Sequence, residues 1–251
     1  MSPRPTPIGT VTFDLWETLI RDSMEAGAPR TQVRLDETHR ILREQGFSFS
    51  AEQIANAYRR CQAALNDLRK REGDATFEEQ VGSFLGEIEG GLAARLSGHA
   101  RERIAARYAD SYFDHPPRVD KHARHVLEGV KARGYRTALI CNTGSTPGKT
   151  QRIFLERAGL ARFFDALTFS DEERVSKPAA AIFHITLERI GSAPHESVHV
   201  GDHPRNDVLG AKRAGLKTIW LKRKEEPAAV APDAQIDSLE QVLEALDRLA
   251  G

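Results

Sequence analysis

Short apolar segments rich in β-branched residues recur along the chain, and a helical pattern follows each of them. They cover residues 10–13, 136–141, 166–169, 197–200 and 217–221. Alternation of this kind is typical of βαβ units. Because these segments are rich in apolar residues, both faces of the sheet should be covered. The sequence therefore predicts an α/β fold in which helices pack on both faces of a parallel sheet.

A long stretch between the first and second predicted strands has no strand pattern. Two capping boxes, Ser50 to Gln53 and Thr76 to Glu79, are typical of helix starts. Apolar or aromatic side chains then recur at helical spacing at Ile54, Tyr58, Cys61 and Leu65. We predict an all-helical cap domain at 21–117, inserted into a Rossmann-like core domain formed by residues 1–20 and 118–251.

The position of this insert suggests what it does. Directly after the first strand, it would stand over the carboxyl edge of the sheet, where a lid excludes water and grips a substrate. Gly-Ala-Pro at 27–29 and His-Pro-Pro at 115–117 flank the insert and are predicted hinges.

Charge and composition exclude several classes of partner. The 36 basic and 36 acidic residues balance, so no global field would draw the chain to nucleic acid or an anionic membrane. No stretch reaches the roughly 18 apolar residues of a membrane span, and residues 1–9 lack the apolar run of a signal peptide. Cys61 and Cys141 form neither a disulfide framework nor a zinc motif. We expect a cytoplasmic protein, either monomer or homodimer.

Polar residues capable of chemistry stand where the predicted strands end. Asp14 closes the first strand within Val-Thr-Phe-Asp-Leu-Trp-Glu-Thr-Leu (11–19), and Asn142, Ser170 and Asp202 occupy comparable positions. In parallel sheets reactive groups gather at this edge. Asp14 is therefore a candidate nucleophile or metal ligand, although a helix-capping aspartate would fit the same segment.

Four segments together resemble the haloacid dehalogenase-like (HAD-like) hydrolase superfamily. The segment around Asp14 resembles its first motif, and Leu-Ile-Cys-Asn-Thr-Gly at 139–144 resembles its second. Val-Ser-Lys-Pro at 175–178 is similar to the third, and Val-Gly-Asp-His-Pro-Arg-Asn-Asp at 200–207 is similar to the fourth. The motifs occur in the family's order over nearly the whole chain, with the helical insert in the usual cap position.

The resemblance implies a hydrolase in which Asp14 is the nucleophile and Lys177 neutralises charge on the transferring group. A phosphoryl group needs such an offset, and hard oxygen ligands suit Mg²⁺. We expect a magnesium-dependent phosphatase that acts on a small phosphorylated metabolite through an aspartyl-phosphate. The implied metal ligands are Asp14, the Trp16 carbonyl, Asp202 and Asp207, and the implied substrate or phosphate contacts are Trp16, Thr18, Cys141, Asn142, Thr143 and Gly144.

Two positions depart from the phosphatase pattern. Trp16 stands where phosphatases of the family carry a second aspartate that protonates the leaving group, a contribution of about 10²–10⁴ in rate. Glu17 is a candidate replacement acid, and Trp16 is expected to pack in the pocket wall. Cys141 replaces a serine or threonine, and a thiol is the weaker hydrogen-bond donor. These departures predict a preference for good leaving groups.

Two other functions stay open. A metal-independent 2-haloacid dehalogenase, working through an aspartyl ester, also lacks the second aspartate, but such enzymes usually carry serine at the position of Asp202. They also tend to have tyrosine near the position of Phe183. The second alternative is a non-catalytic protein that binds a phosphate ligand or a partner, against which the joint presence of Asp14, Lys177 and Asp202 argues.

The cap is expected to set the choice of substrate. Several arginines in the insert are candidates for recognising an anion, although most are expected on solvated helix faces. They are Arg30, Arg34, Arg40, Arg59 and Arg60.

Overall fold

Residues 8–22, 24–224, 227 and 230–250 are described by the computed structural model of the chain. The prediction that residues 1–9 form no signal peptide falls mostly outside the described residues, which begin at residue 8. The described residues form eight strands, β1 (Thr10–Phe13), β2 (Ile20–Arg21), β3 (Arg118–Val119), β4 (Arg136–Cys141), β5 (Ala166–Phe169), β6 (Ser197–Gly201), β7 (Lys217–Leu221) and β8 (Ala234–Ile236).

Six of these strands form one parallel sheet in the order β5-β4-β1-β6-β7-β8. The five strands predicted from the sequence are confirmed, with β6 one residue longer than expected. The edge strand β8 was missed, because three residues ending in one buried isoleucine do not make an apolar run. The α/β class with a Rossmann-like parallel sheet is confirmed.

The order of the strands decides where a site can form. The chain leaves β1 for β4 on one side and later returns to β6 on the other, so β1 lies between them at the reversal point of the sheet. Ligands of open α/β sheets bind outside the carboxyl ends of the strands at such a point. Asp14, Asn142 and Asp202 directly follow these three strands.

Helices cover both faces of the sheet. One apolar cluster joins β1, β4 and β6 to side chains of α6, α7 and α11, and another packs α9 and α10 against Ile140 of β4. Among the described residues, no helix is both long enough and apolar enough to cross a membrane. The helices after the insert are α6 (Ala123–Ala132), α7 (Gly148–Arg157), α8 (Ser170–Glu173), α9 (Ala180–Arg189), α10 (Gly210–Arg213) and α11 (Val242–Ala250).

The segment between β2 and β3 is helical, as predicted, and has an apolar cluster of its own. Both predicted capping boxes are present, and Ile54, Tyr58, Cys61 and Leu65 are buried. The helices are α1 (Met24–Glu44), α2 (Ala51–Lys70), α3 (Phe77–Ile88), α4 (Leu92–Arg95) and α5 (Gly98–Asp114). The assignment of 21–117 as a separate cap domain stays a prediction.

One of the two predicted hinges is wrong. Residues 27–29 lie inside α1, with Pro29 accommodated within the helix, so the helix runs through the Gly-Ala-Pro segment. Residues 115–117 do link the end of α5 to β3. The chain enters and leaves the insert through the antiparallel pair β2 and β3, where Ile20 pairs with Val119, which holds the two connections side by side.

The insert also contacts the sheet domain away from these connections. Residues 72–74 run against residues 174–176, and Gly73 bridges Val175 in antiparallel fashion. The amide of Asp74 donates to the carbonyl of Arg174 at 3.1 Å, and the amide of Ser176 donates to the carbonyl of Glu72 at 3.0 Å. This contact lies immediately before Lys177.

The insert's core gives a first prediction. Phe84 is fully buried, and its ring meets that of Tyr58 edge-on with centroids 5.6 Å apart. We expect Phe84→Ala to lower the free energy of unfolding by about 3–5 kcal/mol, measured by urea denaturation. The control, Ile153→Ala at a side chain that is 40% exposed, should change it by less than about 1 kcal/mol. An equally small effect for Phe84→Ala would contradict a packed core in the insert.

Candidate active site

Asp14 stands at the centre of the carboxyl edge. Its amide continues the strand by donating to the carbonyl of Val200 at 2.9 Å. The chain then turns sharply, with Glu17 in the left-handed region at φ 56°, and this turn brings the hydroxyl of Thr18 back onto Asp14. Thr18 Oγ1 donates to Asp14 Oδ2 at 3.0 Å. Thr18 therefore orients the candidate nucleophile and does not line the cavity described below.

Lys177 lies between two carboxylates. Its ammonium group is 2.6 Å from Asp14 Oδ1 and 2.7 Å from Asp207 Oδ1, and the residue is 2% exposed. Burial opposes its charge, but the two carboxylates raise the pKa of Lys177 above its ordinary value. The side-chain amide of Asn142 fixes the lysine backbone through two 2.9 Å hydrogen bonds, one with its N–H and one with its carbonyl. Asn142 thereby positions the lysine.

Asp207 is held by three donors. Besides Lys177, the amide of His203 donates to its Oδ2 at 2.8 Å, and His199 Nε2 is 3.2 Å from its Oδ1. Although burial opposes ionisation, Lys177 and His199 hold the pKa of Asp207 far below its usual range. His199 was not predicted from the sequence, where its only signal was a histidine between Val198 and Val200 in a predicted strand.

Asp202 differs from the other two carboxylates. No hydrogen-bond donor from the described part of the chain reaches its side chain, although ligand atoms of Asp14, Asp202 and Asp207 all lie within 4.8 Å of one another. Burial, reinforced by the charges of Asp14 and Asp207, raises the pKa of Asp202 to about 8. Burial likewise raises the pKa of Asp14 to about 6, although Lys177 opposes the shift. The cluster has more negative charge than one lysine can balance.

These residues fit a divalent cation. An oxygen-only donor set suits Mg²⁺, which takes one or two protein carboxylates and keeps several waters. Asp202 is free to serve, and Asp14 lies beside it with its two oxygens held by Thr18 and Lys177. The Asp207 side chain packs directly against the backbone of residue 201, which must be glycine because a Cβ there would lie 2.3 Å from Asp207 Cγ. The ligand set of Asp14, the Trp16 carbonyl, Asp202 and Asp207 remains a proposal.

The turn after β4 makes contacts within the protein that were not expected from the sequence. The amide of Thr143, predicted to face phosphate, donates to Ser170 Oγ at 3.0 Å. Ser170 in turn donates to Asp74 Oδ2 at 2.5 Å, so the insert contacts the turn after β4 through this hydroxyl. Gly144 supplies the left-handed turn at φ 63°, and its carbonyl accepts a 2.8 Å hydrogen bond from Arg69. Helix α7 begins only at Gly148.

The two departures from the phosphatase pattern have distinct surroundings. The Trp16 ring packs edge-on against Tyr112 at 5.9 Å and lines the cavity, as expected of a pocket wall. The carboxylate of Glu17 accepts from the amide of Asp22 at 2.9 Å. The Cys141 thiol is buried in the core and donates to Gln151 Oε1 at 3.1 Å, and burial raises its pKa well above the ordinary value. Cys141 does not line the cavity.

A cavity of about 550 Å³ joins the acidic cluster to the insert. Asp14, Asn142 and Asp202 line it from the sheet, and Arg30 and Arg34 line it from α1. The expectation of solvated faces holds for Arg40, Arg59 and Arg60, which are exposed. It is wrong for Arg30 and Arg34, which are 5% and 4% exposed. The reason is that α1 turns this face towards the cavity and α5.

Comparisons with known proteins agree with this arrangement. The family model described as haloacid dehalogenase-like hydrolase matches residues 8–215. Phosphoserine phosphatase from Thermus thermophilus is 35% identical over 155 residues, 60% of this chain and 60% of that protein, so the match spans less than two thirds of that relative's length. Ribulose-1,5-bisphosphate 5-phosphatase from Halopiger xanaduensis is 29% identical over 74% of this chain and 75% of that protein.

A solved structure shows the same fold over the whole chain. The 2-haloacid dehalogenase from Pseudomonas syringae pv. Tomato DC3000 superposes with a TM-score of 0.72, covering 97% of this chain and all of that one. Its sequence identity is 23%, so the likeness concerns the fold alone.

The unbalanced carboxylates predict how stability depends on pH. Unfolded aspartates titrate near 4, so Asp14 up to about pH 6 and Asp202 up to about pH 8 bind more protons in the metal-free native state than in the unfolded chain. The contribution of these two side chains to the free energy of unfolding therefore falls as pH rises through these ranges. We expect Asp202→Asn to raise that free energy in the presence of a chelator, and by at least about 1 kcal/mol more at pH 8 than at pH 5.

Urea denaturation at both pH values measures this difference. Asp110→Asn, at an exposed aspartate of α5, is the matched control and should give the same small change at both. A gain for Asp202→Asn that is no larger at pH 8 than at pH 5 would show that Asp202 carries no unbalanced charge.

Proposed function

Because the chain belongs to the haloacid dehalogenase-like hydrolase family, we propose that it is a magnesium-dependent phosphatase acting on a small phosphorylated metabolite through an aspartyl-phosphate. The observation that carries the proposal is the acidic cluster, in which the side chain of Asp202 receives no hydrogen bond from any described residue and lies beside the Asp14–Lys177 pair. A metal-independent enzyme has no use for that extra carboxylate.

In the first step, one oxygen of Asp14 attacks phosphorus. The new bond joins the carboxylate to phosphorus as the ester P–O bond breaks, and its electron pair leaves with the alcohol oxygen. Thr18 holds Oδ2 and Lys177 holds Oδ1, so the carboxylate is oriented before the substrate arrives. Such preorganisation of nucleophile and charge is what a phosphoryl transfer requires of its protein.

Lys177 supplies positive charge as the phosphoryl group approaches. Its raised pKa keeps the ammonium protonated, and its contact with Asp207 fixes its direction. When bound, Mg²⁺ would offset the remaining negative charge of the phosphoryl oxygens. In the second step, water attacks the phosphorus of the aspartyl-phosphate, the Asp14–phosphorus bond breaks, and phosphate leaves with the carboxylate restored.

Neither Trp16 nor Glu17 replaces the missing aspartate in this arrangement. Trp16 offers no proton at the leaving group, and the carboxylate of Glu17 is engaged with the amide of Asp22. The leaving oxygen therefore departs with its negative charge or takes a proton from water. This supports substrates whose leaving group is a weak base, such as aryl phosphates, acyl phosphates and anhydrides.

The dehalogenase alternative is weaker on the contacts within the site. Asp202 lines the cavity as an unpaired carboxylate, which would repel a haloacid at that point. Phe183, near the position of a tyrosine in dehalogenases, is fully buried against His199 with ring centroids 5.1 Å apart. It has no hydroxyl and does not line the cavity.

The test is a panel of phosphate esters and 2-chloropropionate, each with Mg²⁺ or with a chelator. We expect phosphate release only with Mg²⁺, and Asp14→Asn should lower it by more than about a thousandfold because no nucleophile remains. Asp110→Asn is the control and should match the wild type. Halide release with chelator and no phosphate release would favour the dehalogenase, and neither activity would favour a binding protein.

The absence of the acid gives a separate prediction. We expect turnover of aryl phosphates to exceed that of alkyl phosphates by roughly a hundredfold or more, since only the alkyl leaving group depends on protonation. Introducing the acid, Trp16→Asp, should narrow that ratio. Rates for 4-nitrophenyl phosphate and glycerol phosphate under saturating Mg²⁺ measure it. Equal rates in the wild type would mean that another group donates the proton.

A further inference from the structure

Arg34 of α1 is a buried cation whose partners are all neutral. The residue is 4% exposed, and its Nε donates to the carbonyl of Tyr108 at 3.0 Å and to Ser111 Oγ at 2.9 Å. Nη1 donates to the hydroxyl of Tyr58 at 3.4 Å, and Nη2 donates to Thr146 Oγ1 at 3.1 Å. Of the five N–H groups of the guanidinium, these bonds use three.

The charge of Arg34 has no counter-ion in the described part of the chain. Arg30, one turn earlier on the same helix, shows the usual solution, because its guanidinium pairs with the carboxylate of Asp22. An ion taken out of water without an oppositely charged partner is strongly disfavoured. The hydrogen bonds of Arg34 to neutral groups and its place over the Tyr108 ring, 4.6 Å from the centroid, stabilise the cation but supply no negative charge.

The uncompensated charge faces the cavity that holds Asp14. Arg34 lines this cavity together with three hydroxyl groups, and we call these four residues the Arg34 subsite: Arg34, Tyr58, Ser145 and Thr146. Although burial opposes it, the Arg34 guanidinium and hydrogen bonds to the phenol hold the pKa of Tyr58 below its ordinary value. The subsite is thus electropositive.

The subsite is separate from the groups that handle the scissile phosphate. Arg34 comes from the insert, and Thr146 stands at the far end of the turn that begins at Thr143, whose carbonyl accepts from the Thr146 amide at 3.3 Å. Lys177 is already shared between Asp14 and Asp207, so it does not serve as the second contact. One cavity therefore presents two places for anions, of which the second has no use in the phosphoryl transfer itself.

We propose that the Arg34 subsite binds a second anionic group of the substrate, a carboxylate or another phosphate on the same small molecule as the scissile phosphate. The inference rests on the proposed function and narrows its substrate class to phosphorylated acids and bisphosphates. The planar fork of arginine matches both anions, and its two remaining N–H groups supply the contacts. Phosphate esters of neutral alcohols leave the subsite unfilled.

Binding of non-hydrolysable phosphonates tests this without turnover. Methyl-, ethyl- and propylphosphonate carry one anion, and phosphonoacetate, 3-phosphonopropionate and 4-phosphonobutyrate add a carboxylate to the same chains. The corresponding bisphosphonates add a second phosphorus anion instead. Affinities are measured by titration calorimetry with the full chain in Mg²⁺. The three carbon-chain lengths allow for different distances between the phosphoryl site and the Arg34 subsite.

For at least one chain length, we expect the wild type to bind the doubly anionic probe roughly tenfold or more tightly than its one-anion counterpart, as for a hydrogen bond to a charged group. Arg34→Gln should abolish this preference and change affinity for the one-anion probe by less than about threefold. Arg40→Gln, on the same helix at an exposed ion pair with Glu37, should keep the preference. If the phosphonocarboxylates bind more tightly, the second anion is a carboxylate, and if the bisphosphonates bind more tightly, it is a phosphate.

A second variant covers the case in which Arg34→Gln does not fold, because Arg34 also ties α1 to α5. Tyr58→Phe keeps the ring and removes one hydroxyl, and it should lower the preference by roughly two- to tenfold. The proposal is overturned if no doubly anionic probe gains affinity, if the gain survives in a folded Arg34→Gln variant, or if Tyr58→Phe leaves the gain undiminished. Absence of phosphatase turnover would contradict the proposed function, but this binding preference could still be measured.

Discussion

The ammonium of Lys177, shared between Asp14 and Asp207, is the interaction around which the carboxyl edge of the sheet is organised. The two carboxylates come from the ends of β1 and from the turn after β6, so one buried cation ties neighbouring strands together. A buried charge of this kind requires a complete set of partners, because losing one leaves another uncompensated. Asn142 and His199 complete that set by fixing the lysine backbone and Asp207.

The insert takes part in this arrangement from two sides. Residues 72–74 pair with the segment that leads into Lys177, and Asp74 accepts from Ser170, whose oxygen also accepts from the amide of Thr143. On its other side, α1 brings Arg34 to the cavity. The geometry of the lysine and of the turn after β4 therefore depends on how the insert sits against the sheet.

The sequence was informative where one physical cause dominates. Runs rich in apolar and β-branched residues predicted β1 and β4 to β7, and reciprocal caps predicted the starts of α2 and α3, because burial and local hydrogen bonding decide these features. The convergence of Asp14, Lys177 and Asp202 at one edge followed from motif order on a parallel sheet.

It was less informative where tertiary packing decides. Residues 27–29 read as a hinge, but the packing of α1 against α5 keeps them helical. Arg34 was expected in solvent, since no local pattern distinguishes it from Arg40 on the same helix. The Thr143 amide looked free for phosphate, and only the long-range contact with Ser170 shows otherwise.

The pairing of β2 with β3 has a consequence for how the chain assembles. The central strand β1 pairs with β4, so Thr10 must find Arg136, well over a hundred positions further along the chain. Closing so long a loop is entropically costly, and folds rich in distant contacts form slowly. The insert has its own core of helices with largely local contacts, and once formed it holds residues 20 and 119 side by side. Pairing of β1 with β4 then requires closing a loop made of only the short segments 10–20 and 119–136. A folded insert of nearly a hundred residues therefore reduces the effective loop length that the sheet must close.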